Sequence, residues 1–532
     1  MQPTLLSASP TSTTTTSTAD TSIDGKTIIA TTRSDDENDT IPRPNTDDDI
    51  TIIQQRKLLI HWRGEKDAGY SKPFRQLEFQ GAMAAETAIT TTTPATDQDV
   101  QPTFINALVY NGNEFMPDVN VEHFNEAMQY VSFQKNENNN NNDNNNNSSD
   151  NNHDNHMVGA VVSRKSVENA ASRCSLVHAV YEIVAQSDDL DMLAELAIQD
   201  GGFEDLYKEN ECQHQGLMTW CFRARSYLGD LVDSPSDQET VSSTTTTIKS
   251  GKVKRYGSNT RSMGLERKGL KALTPLLVKL GGKVDLLNPL VKIYIFDGLR
   301  DEHGQPQKVL TRRIATGPRT SAIAPATRIC ITNTPLEPIA AFSLCNVARI
   351  KNGDKILDPY CGSGTTLLAA AMMAPMVQSV GIEIAHNGLV NRNDILQDFR
   401  SRDLTPPKQL ICGDSTHADV RQQARAAVGN TAFDAIVADP PYGIRESSNY
   451  NERSPLEELF ASIQHDRDAG QRLLNIGGRL VAFVPVTDQQ SLRQMLPSRE
   501  ATEAAGLEFE VSREQPLNEK LSRWLVSFIC VR

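Results

Sequence analysis

From Lys355 onward the chain alternates short apolar runs with helical stretches, and that rhythm limits its possible folds more than any other feature. Lys355–Leu357, Val380–Ile384, Gln409–Cys412, Phe433–Ala438, Arg479–Val484 and Trp524–Val531 read as strands. Pro338–Ile350, Leu367–Met376 and Leu456–Ile476 read as helices. Strands alternating with helices predict a mainly parallel sheet covered on both faces, an α/β layout. Upstream the texture is α+β. Lys57–Trp62, Thr103–Tyr110, Val158–Val162, Thr219–Ala224 and Val291–Phe296 read as strands, and Phe74–Ala85 as the start of a helix. Val167, Ala170, Cys174, Val177, Val180, Tyr181 and Val184 fall on one face at helical spacing, which predicts a helix over Val167–Val184.

Polar tracts interrupt this upstream region near residues 87–99, 136–156 and 234–250, the second an asparagine run. Residues 1–54 are expected to be a disordered tail, because a Ser/Thr/Asp-rich stretch without aromatics buries too little apolar surface to offset its ordering entropy. The net charge of −14 argues on its face against a nucleic-acid partner. Its distribution removes that objection. Residues 1–160 hold 10 basic and 23 acidic residues, and the remainder is close to neutral. Eight cysteines without a C-x-x-C pair argue against a disulfide scaffold and a structural zinc site and fit reduced thiols in an intracellular protein. No apolar run reaches the length of a membrane span, and the N-terminus does not read as a secretory signal.

The chemistry is concentrated in four places. In Lys355–Ala371 (KILDPYCGSGTTLLAAA) a strand delivers Asp358 into a turn whose Gly362 and Gly364 let the backbone approach a ligand before a helix starts near Thr365. The turn lacks the Gly-Lys-Ser/Thr of a Walker loop and the third glycine of a dinucleotide fingerprint. Glu383 closes the next strand, where an acid can accept both ribose hydroxyls of an adenosine. Asp414 follows the strand after that, placed either to accept from an adenine amine or to cap a turn. Phe433–Ser447 ends a strand in Asp439-Pro440-Pro441-Tyr442. Two prolines stiffen that loop and leave carbonyl and carboxylate acceptors beside an aromatic ring, a fit for a planar base with an exocyclic amine.

DPYCGSG followed by Glu383, Asp414 and DPPY resembles the class I S-adenosylmethionine-dependent methyltransferases that modify amino groups conjugated to an aromatic system. The longer string DPPYGIRES, with NTPLEPIAAF (333–342), RRIATGPR (312–319) and REQPLNEKLSRWLVSFI (513–529), resembles the catalytic subunit of the eukaryotic tRNA guanosine-10 N2-methyltransferases. LLIHWRG (58–64), FRQLEF (74–79), SVENAASRCSLVHAVYEI (166–183) and GKVDLLNP (282–289) are similar to the same family more loosely. The resemblance implies a Rossmann-like class I methyltransferase domain over 311–532, preceded over 55–310 by an α+β THUMP-like RNA-binding region with disordered insertions.

It implies S-adenosylmethionine as the methyl donor, with no metal in this chain. Asp358, Gly362 and Gly364 would serve its methionine end, Glu383 its ribose and Asp414 its adenine. Asp439, Pro440, Pro441 and Tyr442 would hold the target base. It also implies tRNA as partner, a small zinc-binding activator subunit, a cytoplasmic location and no membrane association. RNA contacts are expected from Arg312, Arg313 and Arg319 in a connector, with Arg328 nearby, from Lys520 and Arg523, and from the basic run Lys249–Lys271. Two other readings stay open on sequence: a DNA N6-adenine or N4-cytosine methyltransferase, and a non-catalytic RNA-binding subunit with a relic methyltransferase fold.

Overall fold

A computed structural model describes residues 57–64, 69–90, 100–108, 115–118, 124, 127–135, 162–199, 203, 218–227, 259–332, 334–384, 390–442 and 454–532. The expected tail and the tracts near 136–156 and 234–250 lie outside these residues. So do 158–161 of the strand expected over Val158–Val162, and 249–258 of the basic run.

The first half builds an eight-stranded sheet. Its strands are β1 (Leu58–Trp62), β2 (Val100–Asn106), β3 (Met128–Lys135), β4 (Val177–Ser187), β5 (Thr219–Ser226), β6 (Lys283–Val284), β7 (Val291–Arg300) and β8 (Pro306–Thr316). They lie in the order β2-β3-β1-β4-β8-β7-β5-β6. The helices are α1 (Arg75–Thr90), α2 (Arg164–Arg173), α3 (Leu190–Gln199), α4 (Asn259–Ala272) and α5 (Thr274–Leu280).

Three expectations change here. The helix expected over Val167–Val184 stops at Arg173, and the remainder becomes β4 at the sheet centre. A strand buried on both faces loses its alternation, so its valines mimic helical spacing; β-branched and aromatic side chains decide for strand. Helix α1 runs on to Thr90, so the tract near 87–99 starts inside a helix. The expected boundary between 310 and 311 cuts β8, which pairs with β4 and β7; the first sheet ends at Thr316.

The second half is a seven-stranded sheet of β9 (Lys355–Asp358), β10 (Gln378–Glu383), β11 (Gln409–Cys412), β12 (Phe433–Ala438), β13 (Leu474–Thr487), β14 (Leu507–Asn518) and β15 (Leu521–Cys530). The order is β11-β10-β9-β12-β13-β15-β14. Strands β9 to β13 are parallel, and β15 pairs antiparallel with both β13 and β14. This is a Rossmann-like α/β sheet with an antiparallel end. Alternate residues feed two cores. Ile356, Ala435, Val437 and Val481 face α6 (Pro338–Val347), α7 (Thr365–Met373) and α8 (Arg392–Arg400). Leu357, Ile436, Ala438 and Leu480 face α9 (Ala418–Ala427) and α10 (Pro455–Asp468).

Helix α6 is buried at every residue from Ala340 to Val347. A helix apolar all round needs cover on all sides, and here the second sheet covers one side and α1 another. Gly81 of α1 lies so close to α6 that a Cβ there would land on the Asn346 carbonyl. Polar groups complete the contact. Glu78, fully buried, accepts from Ser175 N (2.8 Å), Ser175 Oγ (2.6 Å), Leu176 N (2.9 Å) and Asn346 Nδ2 (3.1 Å). Arg173 Nε donates to Asn346 Oδ1 at 2.8 Å, and its Nη2 donates to the Ile350 carbonyl. One apolar cluster runs from Leu58 of β1 to Leu525 of β15, so the two sheets share a core.

Candidate active site

Strand order reverses between β9 and β12, and a crevice opens at the carboxyl ends of the strands where an open α/β sheet does this. Asp358 ends β9, and Asp439 follows β12 across the crevice. Between β9 and α7 the turn takes Gly362 at φ 50° and Gly364 at φ 78°, left-handed values that favour glycine. No atom lies within 4 Å of where a Cβ would stand on Gly362, so the backbone there faces open space. Glu383 Oε2 accepts from Gly362 N at 2.8 Å, fixing the turn to the tip of β10. Beside them is a pocket of about 380 Å³ lined by Gly362, Glu383, Asn391, Ile395, Ile411 and Cys412.

Asp358 is almost wholly buried. It accepts from Tyr360 N at 3.0 Å and from the Thr366 hydroxyl. Burial, followed by the negative charges of Asp439 and Glu383, pushes its carboxyl from the ordinary 3.8 up to about 7. Three acids thus share one electrostatic field, a setting that favours a cationic ligand. Burial and the Asp358 charge push the Cys361 thiol up, so it stays protonated. Asp414 spends Oδ1 on its own turn, accepting from Thr416 N and Thr416 Oγ1, both at 2.8 Å. The Tyr442 hydroxyl donates to Asp439 Oδ1 at 2.7 Å, and burial with the Asp439 charge pushes that phenol up. Pro440 is buried, and Pro441 is half-buried beside it.

Some of the basic residues expected on an RNA surface are internal. Arg312 is buried, with Nε 2.6 Å from Glu182 Oε2. Arg328 is buried under the glycine turn, where it donates to the Ser363 carbonyl and, at 2.6 Å, to Thr365 Oγ1, and pairs with Asp398. Arg523 is buried inside the crevice wall: its guanidinium lies 4.3 Å from the Phe483 ring centre, and its Nε donates to Gln515 Oε1 at 2.7 Å. Arg313 is half-buried, while Arg319 and Lys520 are exposed. Sequence reasoning missed Thr366, Arg328 with Asp398, and the place of Arg523. The carboxylate of Asp398 lies on α8, distant in sequence from the arginine it meets, so no local signal marked the pair. Among the described residues no group of three or more His, Cys, Asp or Glu could hold a metal ion, and no helix is long and apolar enough to cross a membrane.

Residues 325–504 match the UPF0020 family, an RMKL-like methyltransferase domain. That match covers about a third of the chain and falls on the second sheet. The chain is 28% identical over 259 residues to the tRNA (guanine(10)-N(2))-methyltransferase TRMT11 of Mus musculus, covering 41% of this chain and 54% of that protein. To the protein of the same name in Homo sapiens it is 27% identical over 292 residues, 46% of this chain and 59% of the other. To the tRNA (guanine(10)-N2)-dimethyltransferase of Methanothermobacter thermautotrophicus it is 30% identical over 159 residues, 30% of this chain and 43% of the other. The match therefore spans less than two thirds of these relatives' length. The resemblance to tRNA guanine-N2 methyltransferases read from the motifs agrees with these relatives.

Proposed function

We propose that the chain is an S-adenosylmethionine-dependent methyltransferase acting on the exocyclic N2 amine of a guanosine in tRNA, at position 10. The observation that carries this reading is Asp439-Pro440-Pro441-Tyr442 facing Asp358 and the glycine turn across one crevice. S-adenosylmethionine supplies an electrophilic methyl on a sulfonium. The residues present suit it. Glu383 at the tip of β10 lines the pocket and is proposed for the ribose, the acid cluster around Asp358 matches an ammonium and a sulfonium, and open space over Gly362 admits close approach. Asp414 is proposed for the adenine edge.

The guanine amine is a weak nucleophile because its lone pair is delocalised into the ring. Asp439 and the Pro440 carbonyl would accept its hydrogens, turn the lone pair toward the methyl and hold the base in line; Asp439 would then take the released proton. Tyr442, tethered to Asp439, sets the ring against which the base lies. Replacing Asp439 by Ala is expected to lower kcat by about 10²–10³-fold, read as label transfer to unmodified tRNA. A near-normal rate would remove Asp439 from this role.

The first half is proposed as a THUMP-like RNA-binding region. Of the cations expected to contact RNA, Arg313, Arg319 and Lys520 are retained. Arg313 stands with Arg63 and Arg225 near His178, whose imidazole is pushed down to about 4 by partial burial and then by His61, Arg225, Arg63 and Arg313. That concentration of positive charge suits backbone phosphates. A small zinc-binding activator is retained as partner, supported by the exposure of Phe509 on the edge strand β14. The described cysteines are all free thiols, which fits a reducing, cytoplasmic setting.

A further inference from the structure

Arg523 lies where several lines of contact meet. It is 5% exposed, lies over the Phe483 ring and donates to Gln515 Oε1. Its guanidinium charge also acts on the Tyr442 phenol, opposing the rise that burial and Asp439 cause there, and its Nη2 stands 3.4 Å from Glu337 Oε2. The Tyr442 hydroxyl donates to Asp439 Oδ1 at 2.7 Å. On the other side, Gln515 Nε2 donates to Ser71 Oγ at 2.9 Å. Ser71 is buried in a short 3-10 turn, Gly69–Phe74, that belongs to the first half of the chain and packs on β14. Phe74 of the same turn lies 6.0 Å from Phe483, ring centre to ring centre.

We propose that Ser71, Gln515 and Arg523 form a positioning relay by which the first half of the chain sets the orientation of Tyr442 and Asp439. The inference rests on the reading of Asp439-Pro440-Pro441-Tyr442 as the target-base loop. The physical reason is geometric. A carboxylate that must accept from an amine and remain in line with a methyl needs its plane held, and two prolines stiffen the loop backbone without fixing the side chains. Arg523 is suited to the task because a planar fork bonds several acceptors at once while stacking on an aromatic face; Lys cannot do this. Gln515 is suited because an amide donates and accepts together, taking from Arg523 and giving to Ser71. Displacement of the 69–74 turn on engaging RNA would therefore reach Asp439 through three side chains and one stacked ring.

The test uses the full chain with its partner in place, and two readouts. In steady-state methyl transfer to unmodified tRNA, Arg523→Met is expected to lower kcat about 10²-fold, as small misplacements of reacting groups do, with KM for tRNA and for S-adenosylmethionine little changed. Ser71→Ala removes one hydrogen bond and is expected to lower kcat about fivefold; in a Tyr442→Phe background the same change should have no further effect. Amide hydrogen exchange of the peptide spanning 433–442 is the second readout and requires no substrate. Exchange there should quicken in Ser71→Ala and Arg523→Met while the melting temperature stays within a few degrees of wild type. Unchanged exchange, or a Ser71→Ala effect that survives in Tyr442→Phe, overturns the relay. If exchange responds as stated but wild type leaves guanine N2 unmethylated, the relay stands and the substrate reading falls.

Discussion

A carboxyl buried as deeply as that of Asp358 binds its proton more tightly in the folded chain than in the unfolded one. Its value rises from 3.8 to about 7 on folding. Between those values the folded chain holds a proton that the unfolded chain releases, so this contribution to stability is full at low pH and lost as pH rises toward 7. Thermal midpoints of the free protein should fall over that window, and Asp358→Asn should flatten the fall. A cationic cofactor favours the carboxylate form. Its affinity should therefore rise with pH to about 7, with proton release visible when calorimetry is repeated in buffers of different ionisation heat. The two neighbouring arginines of β8 should part company. Arg312→Ala strips a buried partner from Glu182 and should cost about 3–5 kcal/mol of stability. Arg313→Glu should leave the fold intact, weaken tRNA binding and reduce the salt slope by about one. A filter-binding series over salt concentration, beside melting curves, separates these outcomes.

At the scale of elements, Gly81 marks where α1 lies against α6. Adding a methyl there forces the helix off the Asn346 carbonyl, so Gly81→Ala should destabilise by about 1–3 kcal/mol despite its better helix propensity, as a denaturant melt would show. The parallel strands were legible in the sequence because each is a compact apolar run between helices. The glycine turn was legible because strand, acid, glycines and helix follow one another within a few residues. The element that misled was β4: VHAVYEIVAQS is buried on both sides, so its spacing matches a buried helix and only its β-branched and aromatic residues point to a strand. Strand β14 was not anticipated because LEFEVSREQPLN is charged and mostly outward-facing, and its place is set by pairing with β15. Asp358, Glu383 and Asp439 were readable as candidate site residues, since each stands at or just past the end of a predicted strand. Arg523 and Arg328 were read as surface cations because a lone arginine looks alike in sequence whether it meets phosphate or a carboxylate from a distant helix.

For the whole molecule, the shared core and the Glu78–Ser175–Asn346–Arg173 network predict that the two sheets melt together. Trp62 reports on the first sheet and Trp524 on the second. Variants that retain only one of these tryptophans should show coincident unfolding midpoints, and two separated transitions would mean that the halves are energetically independent. On the proposed function, a rigid connection of this kind would hold tRNA bound by the first half at a fixed distance from the crevice. The most direct measurement is mass spectrometry of tRNA nucleosides from cells lacking this protein, complemented with the wild-type chain or with Asp439→Ala. N2-methylated guanosine at one tRNA position should disappear in the deletion, return with wild type and fail to return with Asp439→Ala. Unchanged N2-methylguanosine in the deletion, or full restoration by Asp439→Ala, would contradict the account.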